Sequence, residues 1–128
     1  MDRKELRQDY IDLGGKVLEG LDSLDFKVTS AFWFLLPDSG WRFIVATPVF
    51  DEKEPSKAYE LLLKKITDIL GRDDAFINGI SMISPNHPLI RLLRAAINTG
   101  PESNSGIRFT GNVINGEFIE DAYIYRIS

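Results

Sequence analysis

An α+β fold follows from three features of the sequence. Two apolar, β-patterned runs flank Pro37-Asp38-Ser39-Gly40, a second pair flanks Asn115-Gly116, and three stretches with helical periodicity interleave with them. The pattern predicts the order αββαβαββ. It also predicts a single domain over residues 1–128, with a mixed, mostly antiparallel sheet of about five strands and helices packed on it.

The first helix is predicted from Asp2 to about Leu21. Leu6, Tyr10, Leu13, Val17 and Leu21 recur at spacings of three and four, which puts them on one stripe. Gly14-Gly15 interrupts the stripe at a cost of about 1 kcal/mol per glycine relative to alanine. Close packing against a neighbour is the expected reason. No strand precedes the pair, as a phosphate-cradling loop would require.

Val28–Leu36 and Trp41–Phe50 carry β-branched and aromatic residues on both faces of the predicted strands. Strands wetted on one side alternate, so these are expected to be covered on both. A four-residue turn closed by Leu36 and Trp41 is the assumed register. Pro55 then opens a second helix whose face is Ala58, Leu62, Ile66 and Ile69, and Gly71 ends it. A short strand is predicted over Phe76–Ser84, weakened by Asn78-Gly79. A third helix runs from Pro88 to about Asn98, capped by Asn86 or His87.

Ile107–Ile114 and Glu117–Ile127 form the second hairpin. Asn-Gly between such runs favours a type I′ turn, because both central residues need φ > 0. The two-residue loop sets Ile114 against Glu117. It also places Glu120 opposite Gly111 on a mostly apolar face.

Composition narrows the function. Hydrophobic residues make up 44% of the chain and cysteine is absent, so a packed core is expected without disulfides, a thiol nucleophile or a thiolate zinc site. Net charge is −4, which disfavours nucleic acid as a partner. The charged N-terminus and the lack of a long apolar run predict a cytoplasmic protein with no membrane partner.

Pro37-Asp38 followed by Asp51-Glu52-Lys53 resembles the loose Pro-Asp…(Asp/Glu)-x-Lys pattern of the PD-(D/E)xK nucleases. The resemblance implies Asp38 and Asp51 as metal ligands and Lys53 as assistant to the attacking water. Ligands of one ion must converge within a few ångströms. The predicted strand between these acids would hold them about 30 Å apart. A turn at Asp38 and a solvated helix entry at Asp51 are therefore preferred.

No catalytic residue, metal site or cofactor is assigned. The leading expectation is a non-catalytic protein-binding or self-assembly module, working as a homo-oligomer or with a protein partner. Arg91, Arg94, Arg108, Tyr123, Tyr125 and Arg126 are the interaction-face candidates, since arginine and tyrosine are favoured at interfaces. The first alternative is an enzyme or ligand-binding domain, nuclease-like or otherwise, with a site at the hairpin ends using some of Asp51, Lys53, His87 and Glu120. The second is a module binding single-stranded nucleic acid through stacked aromatics and arginines.

Overall fold

The computed structural model describes residues 5–128. It is a single compact α+β unit in the expected order, with two further short helices. The elements are α1 (Gln8–Ser23), β1 (Ser30–Leu36), β2 (Gly40–Ala46), α2 (Val49–Glu52), α3 (Pro55–Leu70) and α4 (Asp74–Asn78). They continue with β3 (Ile80–Ile83), α5 (Pro88–Arg94), β4 (Ile107–Ile114) and β5 (Glu117–Ile127). The sheet order is β3-β2-β1-β5-β4, with β2 and β3 parallel and the other pairs antiparallel.

Both faces of the central hairpin are covered. On one side Ala31, Trp33, Phe43, Val45 and Tyr125 pack under α1, α3 and α4, against Val17, Leu18, Leu21, Leu62, Ile66 and Phe76. On the other side Phe32, Ile44, Ala46, Ala122 and Ile124 pack against Ile90 and Leu93 of α5 and Ile97 just beyond it. The sheet is thus a middle layer, which is why β1 and β2 read as nearly continuous apolar runs.

The first hairpin departs from the assumed register by one residue. Leu36 pairs with Gly40 and Leu35 with Trp41, around a three-residue loop. Gly40 takes φ +82°, so glycine carries the backbone reversal that a fourth loop residue was expected to make. Trp33 and Phe43 therefore share one face, and Phe32 and Ile44 the other. The second hairpin has the expected register, Ile114 with Glu117, with Asn115 at φ +48° and Gly116 at φ +84°.

Local chemistry moves three other boundaries. α1 begins at Gln8, and the Asp2–Lys4 part of the predicted helix lies outside the described residues. The Asp73 carboxylate accepts the Phe76 N–H (3.1 Å) and nucleates α4, so only Ile80–Ile83 of the predicted Phe76–Ser84 strand is strand. His87 rather than Asn86 caps α5, its Nδ1 accepting the Leu89 N–H at 3.0 Å.

Gly14 is buried where α1 crosses Tyr125 and Trp33. A Cβ there would come within 2.9 Å of Trp33 Nε1 and nearer still to Tyr125 Oη. The close packing expected of the Gly14-Gly15 pair belongs to Gly14. The Tyr125 hydroxyl donates to the Ile11 carbonyl inside α1. Burial pushes its pKa well above the usual tyrosine range, and the neighbouring Trp33 N–H opposes part of that rise. In the unfolded chain the phenol ionises near pH 10. Because the folded value is raised, the hydroxyl's contribution is complete below that pH and is lost as pH climbs above it. The denaturant midpoint should therefore fall between pH 9.5 and 11 (roughly, from the tyrosine reference value). Tyr125→Phe should flatten that decline, and equal slopes for the two proteins would contradict it.

Candidate interaction surface

The six face candidates do not form one face. Tyr125 and Arg126 are buried, at 3% and 1% exposure. The cause is a bulge in β5. Ala31 pairs with Arg126 but Phe32 pairs with Ile124, so Tyr125 is the extra residue. Tyr125 and Arg126 both turn toward α1, while Ile124 and Ile127 stay on the α5 side. Arg126 binds both carboxylate oxygens of Asp22 (3.1 and 2.7 Å) and donates to the carbonyls of Val28 and Ser103. It ties α1, the segment leading into β1 and the loop before β4 to the last strand.

Arg91 and Arg94 are exposed on or near α5, on the opposite side of the sheet from Arg108 and Tyr123. Arg94 donates to the Ser128 carbonyl. Arg108 makes a two-pronged pair with Asp121 (2.7 and 2.8 Å), with its guanidinium 5.8 Å from the Trp41 ring centre. Burial alone would push the Asp121 carboxyl up. Hydrogen bonds from Arg108 and Thr110 outweigh it and hold the carboxyl below its usual range. Tyr123 is half-buried and stacks edge-on with Tyr125 at 5.3 Å.

The alternative set is brought together only in part. Asp51 and His87 follow the carboxyl ends of the parallel strands β2 and β3, joined through the Ser84 turn. Ser84 Oγ donates to Asp51 (2.9 Å), and the His87 N–H donates to the Ser84 carbonyl. His87 Nδ1 is occupied by its capping bond. A shallow groove of about 430 Å³ is lined by Lys53 with Glu54, Lys57, Glu60 and Leu61, none of them another member of the set. Glu120 lies in the distant hairpin, half-buried at a gap in the β4–β5 ladder opposite Gly111. Asp38 sits in the β1–β2 turn and Asp51 in α2, beyond opposite ends of β2. Among the described residues no group of three acidic or histidine side chains is arranged to hold a metal. A cleft of about 360 Å³ beside Asp22 and Arg126 is floored by the ion pair already described.

The most exposed large apolar side chains among the described residues lie on the β4–β5 hairpin. β1 pairs with β5 only over Ala122–Ile127, so residues 117–121, with the β4 residues opposite them, run on past the part of β5 that is paired to β1. Gly111 takes φ +60° at the gap in the ladder, and past it the sides exchange. Ile114 and Ile119 turn inward to the α5 side, and Val113 and Phe118, a cross-strand pair, turn outward. They are 64% and 65% exposed, against 39% for Leu24, the other exposed large hydrophobic among the described residues. Unbroken alternation through Gly111 would put Val113 and Phe118 on the inward face, so the sequence pattern alone does not reveal them.

No helix among the described residues is long and apolar enough to cross a membrane. No protein-family model, curated protein or solved structure matches the chain.

Proposed function

We propose that this protein is a non-catalytic self-assembly module that joins copies of its own chain through the β4–β5 hairpin. The observation that carries the reading is the outward Val113–Phe118 pair on a two-stranded hairpin end that is not paired to β1. A large aromatic at 65% exposure gains little where it stands, and burying it in an interface would contribute about 1.5–3 kcal/mol. Buried anchors of this kind dominate association energy. The dispersed enzyme-type residues do not favour a catalytic reading.

Phe118→Ser tests it. The dissociation constant for self-association should rise about tenfold to a hundredfold, the equivalent of the burial term above. The unfolding midpoint should barely move, since exposed positions contribute little to the fold. Sedimentation equilibrium on native and variant protein reads the first, and thermal denaturation the second. Unchanged association would remove Phe118 from the interface.

A further inference from the structure

We infer that Asn115 is a site of spontaneous covalent modification, closing to a succinimide with the backbone nitrogen of Gly116, and that the fold directs this chemistry to Asn115 and away from Asn78. The reaction belongs to the single chain and does not depend on assembly through the hairpin.

The tripeptide Ile-Asn-Gly occurs twice, at 77–79 and at 114–116. The chemistry open to both copies is the same. The glycine nitrogen attacks the asparagine Cγ, a C–N bond closes a ring, and the side-chain nitrogen leaves as ammonia. Water then opens the ring at either carbonyl. One opening leaves aspartate. The other leaves isoaspartate, in which the main chain runs through the former side chain. One water is taken up and one ammonia released, with no oxidant, reductant or cofactor. Glycine favours the step, because no Cβ crowds its nitrogen and its backbone turns freely. The attacking nitrogen, the amide and the preceding isoleucine are identical in the two copies, so a difference between them in the native protein comes from the fold.

The fold clamps the first copy. Asn78 ends α4 and Gly79 leads into β3. The Gly79 N–H donates to the Phe76 carbonyl (3.0 Å), and the Asn78 carbonyl accepts from Arg42 (3.0 Å). The peptide unit that must rotate for attack is thus held at both its nitrogen and its oxygen. The Gly79 carbonyl also accepts from the Phe43 N–H (2.8 Å), and Phe76 and Ile80 on either side are buried. Asn115 and Gly116 are instead exposed at the tip of the β4–β5 hairpin, beyond the part of β5 that is paired to β1. Their turn still imposes a brake. Asn115 stands at φ +48°, in the left-handed region, where the next nitrogen lies across the Cα–C bond from Cβ. The turn must open before the ring can close, and an exposed hairpin tip opens at less cost than a clamped segment beside the core. Either product adds a negative charge next to Glu117. Isoaspartate also adds a backbone methylene to a loop whose two-residue length fixes the strand register.

Incubation of the native chain in dilute solution at mildly alkaline pH, followed by proteolysis and peptide mass spectrometry, reads both sites in one sample. Asn115 should convert about tenfold or more faster than Asn78, the effect of the further hydrogen bonds that must break at Asn78. Both aspartyl and isoaspartyl peptides should appear for position 115. The same incubation in denaturant should speed both sites and make their rates nearly equal. Equal rates in the native protein would overturn the inference, as would faster conversion at Asn78. It would fall too if Asn115 stayed intact in the native chain while the denatured chain converted.

Discussion

Arg126→Ala should cost about 3–5 kcal/mol of folding stability, from the loss of a buried, fully used arginine and the space it leaves. The side chain is 1% exposed, and its partners come from three separate parts of the chain. Its removal takes the donor from the Val28 and Ser103 carbonyls and the ion-pair partner from Asp22. The two members of the ion pair are not equivalent. The Asp22 side chain is 41% exposed, so water can take over part of what Asp22→Asn removes, and that change should cost about 1–2 kcal/mol. Arg91→Ala, on the open side of α5, should leave the denaturant midpoint nearly unchanged. Equilibrium unfolding of the three variants checks the ranking. An Arg126→Ala loss no larger than that of Arg91→Ala would show that the buried arginine organises nothing.

Gly14→Ala and Gly15→Ala should move stability in opposite directions although the two glycines are adjacent in one helix. Each replacement gains about 1 kcal/mol of helix propensity. At Gly15 the new methyl meets Asn104 and Tyr125 at 3.5 and 3.6 Å, ordinary contact, so the gain should survive. At Gly14 it lands within 2.9 Å of Trp33 Nε1 and closer to the Tyr125 hydroxyl, both held in the core. Overpacking of this kind costs about 1–3 kcal/mol. Displacing the Tyr125 hydrogen bond to Ile11 adds about 1 kcal/mol more. The net loss should be about 1–3 kcal/mol, or roughly 3–5 °C per kcal/mol in melting temperature for a chain of this size. A stabilised Gly14→Ala would mean that α1 stands farther from the sheet than described.

Features read from local rules were legible in the sequence. Asn115-Gly116 specifies its turn and register through backbone sterics alone, and the α3 face follows from spacing alone. Two-sided burial of β1 and β2 survived the one-residue slip because both of their faces are apolar. Features depending on a single irregular backbone residue were not legible. The slip at Gly40, the exchange of sides at Gly111 and the bulge at Tyr125 each break the period of two. The last left a trace: Ile124 and Ile127, both buried on the α5 side, are three residues apart, a spacing that a regular strand cannot put on one face. That trace would have moved Tyr125 and Arg126 from the candidate surface to the interior. Nothing in the sequence pairs Arg126 with Asp22, because that contact spans most of the chain. The exposed hairpin end itself was half visible. Its hairpin was predicted, but strand order was not, and it is the order β1-β5-β4 that leaves β4 at the edge.

The central claim is that the β4–β5 hairpin joins copies of this chain. Molar mass by light scattering, taken over a broad concentration series, tests it most directly. The account predicts a mass that climbs toward twice 14.5 kDa with concentration, and a Phe118→Ser variant that stays near one chain mass over the same range. A native protein that holds at one chain mass throughout would contradict it.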